Sequence, residues 1–277
     1  MVDWELSRTF DTPGGSVRWD RLGEGPPVVL LHGTPFSSFV WRAVARSLAS
    51  RFEVYVWDML GYGSSDKTAG QDVSLAAQGR VFADLLRHWG LPEPVVVAHD
   101  FGGAVALRAH LLHGAAYARL ALVDPVALGS WGTGFFRLVR EHADVFERLP
   151  DNLHEALVRE YIGTASHGGL LPVVADRLAE PWLGDEGRPA FYRQIAQADQ
   201  RYTGEVEDRY GRIDLPVLVC WGADDEWIPP SRGEALARRI PGARLEVIDG
   251  AGHLIQEDAP AQLTATVLDF LREDLFS

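Results

Sequence analysis

Short apolar runs that alternate with longer helical patterns are the feature that most restricts how this chain can fold. Four runs rich in β-branched residues lie in the first half of the sequence, at residues 28–31, 54–57, 95–98 and 120–123. Strands that are apolar throughout and separated by helices are typical of a mostly parallel sheet that is covered on both faces. The sequence therefore predicts an α/β fold with helices flanking the sheet.

A long helical stretch interrupts this alternation. It covers residues 129–210 and contains no convincing strand pattern. Beyond it the alternation resumes with two apolar runs and a final helix, at residues 217–221, 244–248 and 261–272. A helical insertion between parallel strands is expected to lie over the carboxyl edge of the sheet, where open α/β sheets bind ligands. We predict a core formed by residues 1–128 and 211–277, with residues 129–210 as a helical cap; the alternative is a packing layer with no role in substrate binding.

Composition narrows the classes of partner. The chain is 277 residues long, 47% of them apolar, and its formal net charge is −13. A strongly acidic chain is poorly suited to bind nucleic acid or an anionic membrane surface, because both need a basic surface. It also gives an anionic substrate no general steering. We therefore expect a small, neutral, apolar substrate together with water, and leave a homodimer open.

Cysteine use and the N-terminal residues favour a cytoplasmic protein. Cys220 is the only cysteine, so an intramolecular disulfide cannot form and an oxidising compartment is not implied. The N-terminus has neither the basic start nor the apolar run of a signal peptide. The apolar runs are also too short to span a bilayer.

Asp100 lies in the most informative segment of the chain, where a predicted strand leads directly into a predicted helix. Small residues flank it: Ala98 two positions before, then Gly102 and Gly103. This is the layout of a nucleophile elbow, in which a tight turn presents the nucleophile, with Asp in place of the more familiar Ser. The helix dipole favours an anion at this position. Without further context, an ordinary helix N-cap would be the preferred explanation of Asp100.

Four other polar and glycine-rich segments also follow predicted strands. They are HGTP at 32–35, DMLGYGSSD at 58–66, WGADDEWIP at 221–229 and GAGH at 250–253. Because the carboxyl ends of parallel strands meet at one edge of a sheet, we expect all four to lie near Asp100. On these motifs the chain resembles α/β-hydrolases of the epoxide hydrolase and haloalkane dehalogenase branch, whose nucleophile is an aspartate. The resemblance covers residues 28–272, and the cap matches only in general character.

The resemblance implies a catalytic triad. In this fold the chain order is nucleophile, acid, histidine. That order gives Asp100 as nucleophile and His253 as the base. In similar enzymes the acid lies three residues after a glycine and four before a proline; Gly222 and Pro229 both select Asp225.

Two further assignments concern the surroundings of the triad. Asp124, at the end of the predicted strand 120–123, is a second candidate for the acid, because some dehalogenase relatives carry their acid at this position. We favour the interpretation of Asp124 as part of an ordinary strand-ending turn.

An oxyanion hole needs two backbone N–H groups. Phe101, directly after the nucleophile, supplies one of them. Pro35 has no N–H, so Thr34 is the predicted second donor.

An aspartate nucleophile restricts the reaction type. A carboxylate suits attack on an alkyl carbon, because the product is an alkyl-enzyme ester, whereas an acyl carbon would give an anhydride. His253, oriented by Asp225, would then activate a water that attacks the carboxyl carbon of Asp100. This route needs no metal and no organic cofactor, and the sequence carries no HExxH, paired CxxC or strand-linked GxGxxG motif that would indicate one.

The leaving group depends on the cap. Relatives protonate an epoxide oxygen with cap tyrosines, and Tyr192 lies in a Phe-Tyr-Arg segment that resembles the one carrying such a tyrosine. Tyr161 and Tyr202 are the candidates for a second tyrosine. Dehalogenases of this type usually carry Trp directly after the nucleophile, and many carry Asn at the position of Thr34. This chain has Phe101 and Thr34 at these positions, so it lacks both side-chain donors that would bind a halide. We predict an epoxide hydrolase that forms a vicinal diol; the alternatives are a haloalkane dehalogenase, another α/β-hydrolase acting on a C–C or ester bond, and a non-hydrolytic member of the fold.

Overall fold

A mixed eight-stranded sheet forms the centre of the molecule. The computed structural model describes residues 4–272. The strands are β1 (Arg8–Thr12), β2 (Gly15–Leu22), β3 (Pro27–Leu31), β4 (Glu53–Trp57), β5 (Val95–His99), β6 (Arg119–Val123), β7 (Val217–Gly222) and β8 (Arg244–Ile248). Their order across the sheet is β1-β2-β4-β3-β5-β6-β7-β8. The pairs β1–β2 and β2–β4 are antiparallel, and every later pair is parallel, which confirms the predicted fold class.

Helices cover the sheet. They are α1 (Arg42–Leu48), α2 (Leu75–Trp89), α3 (Phe101–His113), α4 (Gly134–Phe146), α5 (Asp151–Gly163), α6 (Pro172–Ala179), α7 (Gly184–Ala196), α8 (Arg201–Glu207), α9 (Ser231–Arg239), α10 (Ile255–Asp258) and α11 (Pro260–Arg272). The middle strands are buried at consecutive positions, so both faces of the sheet are covered. Within residues 4–272, no helix has the length and apolar character needed to cross a membrane.

The hairpin formed by β1 and β2 was not predicted from the sequence. These strands lie at the edge of the sheet, and β1 is mostly exposed or half-buried along its length. An edge strand needs no continuous apolar run, because water can cover one side of it. The apolar runs therefore indicated β3 to β8 but not this hairpin.

Helices α4 to α8 occupy the chain between β6 and β7, and the described residues 124–216 contain no strand. Side chains of this region bond to core loops. The indole Nε1 of Trp182 donates to the carbonyl of Pro35 at 2.6 Å, and Gln197 bonds to the backbone of Gln71 and Val73 at 2.8 Å. The helices thus lie over the loops that follow β3 and β4. The division into a core and a separate cap unit stays a prediction.

Candidate active site

Asp100 occupies a sharp turn between β5 and α3. Its backbone has φ 51° and ψ −119°, an uncommon conformation for a residue other than glycine. The small neighbours are required by contact: a Cβ on Gly102 would lie 2.5 Å from the carbonyl oxygen of His32, and one on Gly103 would lie 2.5 Å from the Cβ of Pro125. The predicted small-residue pattern therefore has a direct steric cause.

The carboxylate of Asp100 is almost completely buried and is held by the loop after β3. The backbone N–H of Thr34 donates to Oδ1 of Asp100 at 2.7 Å. The approach is so close that a Cβ on Gly33 would lie 2.3 Å from the Cβ of Asp100. The Thr34 N–H is thus aimed at one oxygen of Asp100, and the other oxygen, Oδ2, remains open to other groups.

His253 lies between two carboxylates. Its Nδ1 is 2.9 Å from Oδ2 of Asp225, and its Nε2 is 3.4 Å from Oδ2 of Asp100. All three side chains are at least nine-tenths buried. The second oxygen of Asp225 accepts the backbone N–H groups of Trp227 and Ile228 at 2.8 and 2.9 Å, which fixes the carboxylate. The structure therefore brings together the three residues that the sequence grouped as a triad.

The charges around His253 determine its protonation. Burial opposes the charged imidazolium, but the carboxylates of Asp225 and Asp100 outweigh it and raise the pKa of His253 well above its usual range. The two carboxylates thus favour the protonated imidazolium form of His253.

Asp124 is buried and bonds to the sheet. Its Oδ1 accepts the backbone N–H of Gly222 at 2.9 Å, and Oδ2 has no partner within residues 4–272. Burial, reinforced by the charge of Asp225, raises the pKa of Asp124 well above its usual range, so this carboxyl is neutral. Its hydrogen bond holds β7, whereas His253 is oriented by Asp225.

One group of side chains has the spacing of a metal site. Atoms of His99, Asp124 and His253 lie within 4.8 Å of one another. Nδ1 of His253 bonds to Asp225, and Nε2 of His99 bonds to the carbonyl of His253, so this spacing alone does not assign a metal site.

The cavity above Asp100 is small and mostly apolar. Its volume is about 30 Å³. The cap contributes Trp131, Phe136 and Tyr161 to the wall, and the loop after β7 contributes Trp227 and Ile228. Apolar walls around one buried carboxylate suit a neutral reacting group.

Tyr161 is the only one of the three predicted tyrosines in the wall of this cavity. Its ring stacks on that of Trp227, with centroids 4.7 Å apart. Burial, followed by the charge of Asp100, raises the pKa of its hydroxyl well above the usual range. This hydroxyl has no hydrogen-bond partner in the part of the chain that the structure describes, so it can bond to a ligand.

The structure contradicts the prediction that Tyr192 faces Asp100. The Tyr192 hydroxyl lies 2.8 Å from Nδ1 of His154, inside the cap. His154 Nε2 must carry a hydrogen, because it bonds to the carbonyl of Trp182 at 2.8 Å. Burial lowers the pKa of His154, so the ring is neutral and Nδ1 accepts the Tyr192 proton.

Tyr202 is also away from the cavity. Its hydroxyl bonds to the guanidinium of Arg201 at 2.6 Å, and its ring lies under the guanidinium of Arg108, 5.2 Å from the ring centroid. These contacts place Tyr202 beside α3 rather than above Asp100.

Two residues at the site were missed by the sequence analysis. The side-chain oxygen of Gln194, on α7, accepts the hydroxyls of Thr34 at 2.5 Å and Tyr62 at 3.1 Å. Gln194 is 2% exposed, and its Nε2 has no partner within residues 4–272. Tyr62 lies in the glycine-rich loop after β4, which the sequence did place at this edge. No motif distinguished Gln194 from other polar residues of the cap.

The indole N–H groups near the cavity already donate hydrogen bonds to protein oxygens. Trp131 donates to Oγ1 of Thr203 and Trp227 to Oγ1 of Thr164, both at 3.0 Å. Trp182 donates to the Pro35 carbonyl, as described above. These three N–H groups are therefore not free to bind a halide.

Comparison with known proteins agrees with this architecture. The family model described as alpha/beta hydrolase fold matches residues 26–260. An uncharacterized protein of Mycobacterium tuberculosis is 32% identical over 95% of this chain and 80% of its own length. Haloalkane dehalogenase 2 of the same organism is 27% identical over 95% of this chain and 94% of its own length.

A solved structure extends the similarity to three dimensions. An alpha/beta hydrolase fold protein from Burkholderia ambifaria has a TM-score of 0.93 and 49% identity, over 96% of this chain and 98% of that one. An epoxide hydrolase, CorEH, has a TM-score of 0.74 at 19% identity, over 96% of this chain and 99% of that one, which reflects the fold alone. The chain therefore belongs to the alpha/beta hydrolase fold family and is a hydrolase of that fold.

Proposed function

We propose that this hydrolase opens apolar epoxides to vicinal diols through a covalent ester on Asp100. The buried carboxylate, the adjacent His253 and the apolar wall support a displacement at an alkyl carbon. The choice of an epoxide rests on one observation: Tyr161 lines the cavity, and its hydroxyl has no hydrogen-bond partner within residues 4–272. Tyr161 thereby takes the role that the sequence had assigned first to Tyr192.

In the first step, Oδ2 of Asp100 attacks an epoxide carbon. Oδ1 is held by the Thr34 N–H, so Oδ2 is the oxygen free to form the new C–O bond. The carbon–oxygen bond of the ring breaks, and its electron pair moves to the epoxide oxygen. The Tyr161 hydroxyl donates a hydrogen bond and then its proton to that oxygen.

In the second step, ester formation changes the state of His253. The resting imidazolium is stabilised by two carboxylates, and alkylation of Asp100 removes the charge of one of them. The pKa of His253 then falls. It gives up its proton, which returns through water to the Tyr161 phenolate left by the first step, and the neutral ring takes a proton from the attacking water.

Cleavage of the ester regenerates the enzyme. The attacking water bonds to the carboxyl carbon of Asp100, and the negative charge develops on Oδ1 beside the Thr34 N–H, with the N–H of Phe101 as the second donor. The bond between the carboxyl carbon and the alkyl oxygen then breaks, and the alkyl oxygen takes the remaining proton of the attacking water as the second hydroxyl of the diol. This leaves the Asp100 carboxylate and the His253 imidazolium of the resting enzyme.

A haloalkane dehalogenase is the second candidate, favoured by the 27% identity to haloalkane dehalogenase 2. The same ester would form, with a halide as the leaving group. The bonded indoles of Trp131, Trp182 and Trp227 argue against it, because a halide needs N–H donors at the cavity. The unpartnered Nε2 of Gln194 is the donor that would have to replace them.

A single turnover in ¹⁸O-labelled water tests the ester. The enzyme is used in excess over styrene oxide, and the peptide containing Asp100 is analysed by mass spectrometry. Label is expected in the Asp100 carboxylate and absent from the product after this first turnover; label in the product alone would refute the ester. Asp224→Asn, a change at the exposed aspartate beside Asp225, is the matched control and keeps the labelling.

A substrate panel then separates the leaving groups. Styrene oxide, a bromoalkane and a nitrophenyl ester are compared by kcat/KM. The epoxide is expected to be the preferred substrate, and preference for the bromoalkane would replace this proposal with the second candidate.

A further inference from the structure

The cavity above Asp100 is too small to hold a whole substrate. Its volume of about 30 Å³ is far below the roughly 300–1,000 Å³ of ordinary ligand cavities. A second cavity of about 230 Å³ lies directly beside it. Val126, Trp131, Trp227 and Ile228 form part of the wall of both. A substrate whose reacting carbon lies at Asp100 therefore has room for its remainder in this side chamber, which we define as the cavity bounded by these four residues, Trp221, Leu236 and Arg232.

The side chamber has a mixed lining of apolar and polar groups and one charged side chain. Trp221 and Leu236 are fully buried in its wall, while Ser130 and Pro229 are exposed at its rim. Arg232 is half-buried and also lines the chamber. A cavity that combines apolar side chains with a single guanidinium suits a ligand that has an apolar body and an anionic end.

Arg232 has hydrogen-bonding capacity that the protein does not use. Its Nη2 donates to the carbonyl of Ser130 at 3.2 Å. No carboxylate within residues 4–272 lies within ion-pair distance of it. Other arginines of the same helix are paired: Arg238 with Glu234 and Arg239 with Glu207. Arg232 thus presents an uncompensated positive charge to the chamber.

The position of Arg232 at the start of a helix makes the electrostatic potential in the chamber more positive. It is the second residue of α9 (Ser231–Arg239), so the positive end of the helix dipole lies beside its side chain. A guanidinium binds a carboxylate through two parallel hydrogen bonds. The net charge of −13 led to the expectation of a neutral substrate, but the field inside this chamber is set by its nearest charge.

We propose that the side chamber binds the distal carboxylate of the substrate, with Arg232 as its partner. The substrate class is then an epoxy acid: an apolar chain with the epoxide at one end and the carboxylate at the other. The epoxide half of this assignment rests on the proposed function, whereas carboxylate binding at Arg232 does not.

Binding of an unreactive acid tests the chamber independently of the chemistry. Isothermal titration calorimetry compares octanoate with octanamide, which differ in charge but hardly in size. The wild-type enzyme is expected to bind octanoate about tenfold or more tightly than octanamide. Arg232→Gln should remove this preference, Arg232→Lys should retain part of it, and Arg238→Gln on the same helix should leave it unchanged. Equal binding of acid and amide by the wild type, or an unchanged preference in Arg232→Gln, would overturn the inference.

Kinetics with terminal epoxides separates this inference from the proposed function. Epoxides whose other end is a carboxylate or the matching amide are compared, at several chain lengths. Arg232→Gln should raise KM about tenfold more for the acids than for the amides, whereas Arg238→Gln should raise neither. If no epoxide is turned over but octanoate binding still requires Arg232, the proposed function fails and carboxylate binding stands. If epoxides are turned over and the acids show no dependence on Arg232, only the inference of this section fails.

Discussion

Tyr161 and Tyr192 are both tyrosines of the cap, but their hydroxyls have different surroundings. Tyr192 donates its hydrogen to His154, whereas Tyr161 faces the cavity with no protein acceptor. A hydroxyl already bonded to a buried acceptor cannot also protonate a leaving group without leaving that acceptor unpaired. The two residues therefore form a natural pair of variants for testing the reaction.

Tyr161→Phe should reduce kcat for styrene oxide by about a hundredfold, since it removes the general acid. The rate with a bromoalkane, whose halide needs no proton, should change little. Tyr192→Phe is the control: kcat should be retained, with about 1 kcal/mol less stability towards urea because His154 loses its partner. A Tyr192→Phe variant that loses epoxide activity while Tyr161→Phe keeps it would reverse the assignment.

His253→Gln should stop the reaction at the ester. Alkylation needs only the Asp100 carboxylate, whereas hydrolysis needs the imidazole as base. Mass spectrometry of the variant after incubation with an epoxide should show the protein increased by the mass of one substrate, on the peptide containing Asp100. An unmodified His253→Gln protein would contradict the two-step route.

The raised pKa of His253 predicts how its contribution to stability depends on pH. The folded pKa lies above the unfolded value of about 6.5, so the attraction to Asp100 and Asp225 is fully present below that pH and is lost as pH rises through the folded pKa. The difference in free energy of unfolding between wild type and His253→Gln should therefore be larger at pH about 6 than at pH about 10. Urea titrations at both values measure it, and a difference that grows with pH would show the opposite sign.

Individual residues were predictable where a backbone motif fixes them. Asp100, Asp225 and His253 follow strands and have characteristic glycine and proline neighbours, so the resemblance to the family could be carried over to them residue by residue. Tyr192 and Gln194 are on α7, where a side chain's direction depends on how the helix is rotated against its neighbours. That rotation is decided by tertiary packing, which the sequence pattern does not specify.

At the scale of elements, the turn from β5 into α3 restricts the chain most tightly. Asp100 has positive φ, and its backbone carbonyl accepts the N–H groups of Gly103 and Val126 at 2.9 and 3.1 Å. The start of α3 is thereby joined to the chain that leaves β6. A change of backbone path at this turn would displace both.

Gly102→Ala should destabilise the protein by about 3 kcal/mol or more. The added methyl would lie 2.5 and 2.8 Å from the carbonyl oxygens of His32 and Leu31, which belong to the backbone and cannot rotate away. Gly204→Ala in α8 is the control, since nothing lies within 4 Å of the added methyl; it should raise stability by up to about 1 kcal/mol. Chemical denaturation of both variants checks the pair, and similar stabilities would contradict the steric argument.

Strands with an apolar run were predictable. The buried strands β3 to β7 have such runs and were found, as was β8, of which only Ile248 is buried. The edge hairpin and α9 were missed because neither has such a run: α9 is rich in arginine and only two of its residues are buried. Polar surface elements form through pairing with their neighbours in space, which a local pattern does not reveal.

At the scale of the whole molecule, two buried histidines resist protonation in the folded state. The tautomer of His32 is fixed by bonds to the Gly33 carbonyl and the Met59 N–H, both at 2.9 Å. His99 bonds to the carbonyl of His253 at 2.8 Å. Burial lowers the pKa of both, that of His99 to about 3, where the charge of His253 acts in the same direction.

Stability should therefore fall as pH decreases below about 6.5, because the unfolded chain binds protons that the folded His99 does not. His99→Gln, whose amide can still donate to the His253 carbonyl, should show a flatter dependence of the free energy of unfolding between pH about 6.5 and about 4. Urea titrations across this interval measure the slope. An equal slope in wild type and variant would remove His99 as a cause of acid sensitivity.

The helices over the cavity form one uninterrupted stretch of chain between β6 and β7. Exchange of this segment, which needs only two crossovers, can therefore replace the cap side of the pocket wall and leave Asp100, Asp225 and His253 in place. The exchange carries one condition, set by Gln194. An incoming segment without an acceptor at that point would leave the buried hydroxyls of Thr34 and Tyr62 unpaired beside Asp100. Replacement of the segment between β6 and β7 can thus change the substrate range, provided that the new segment carries this amide or an equivalent acceptor.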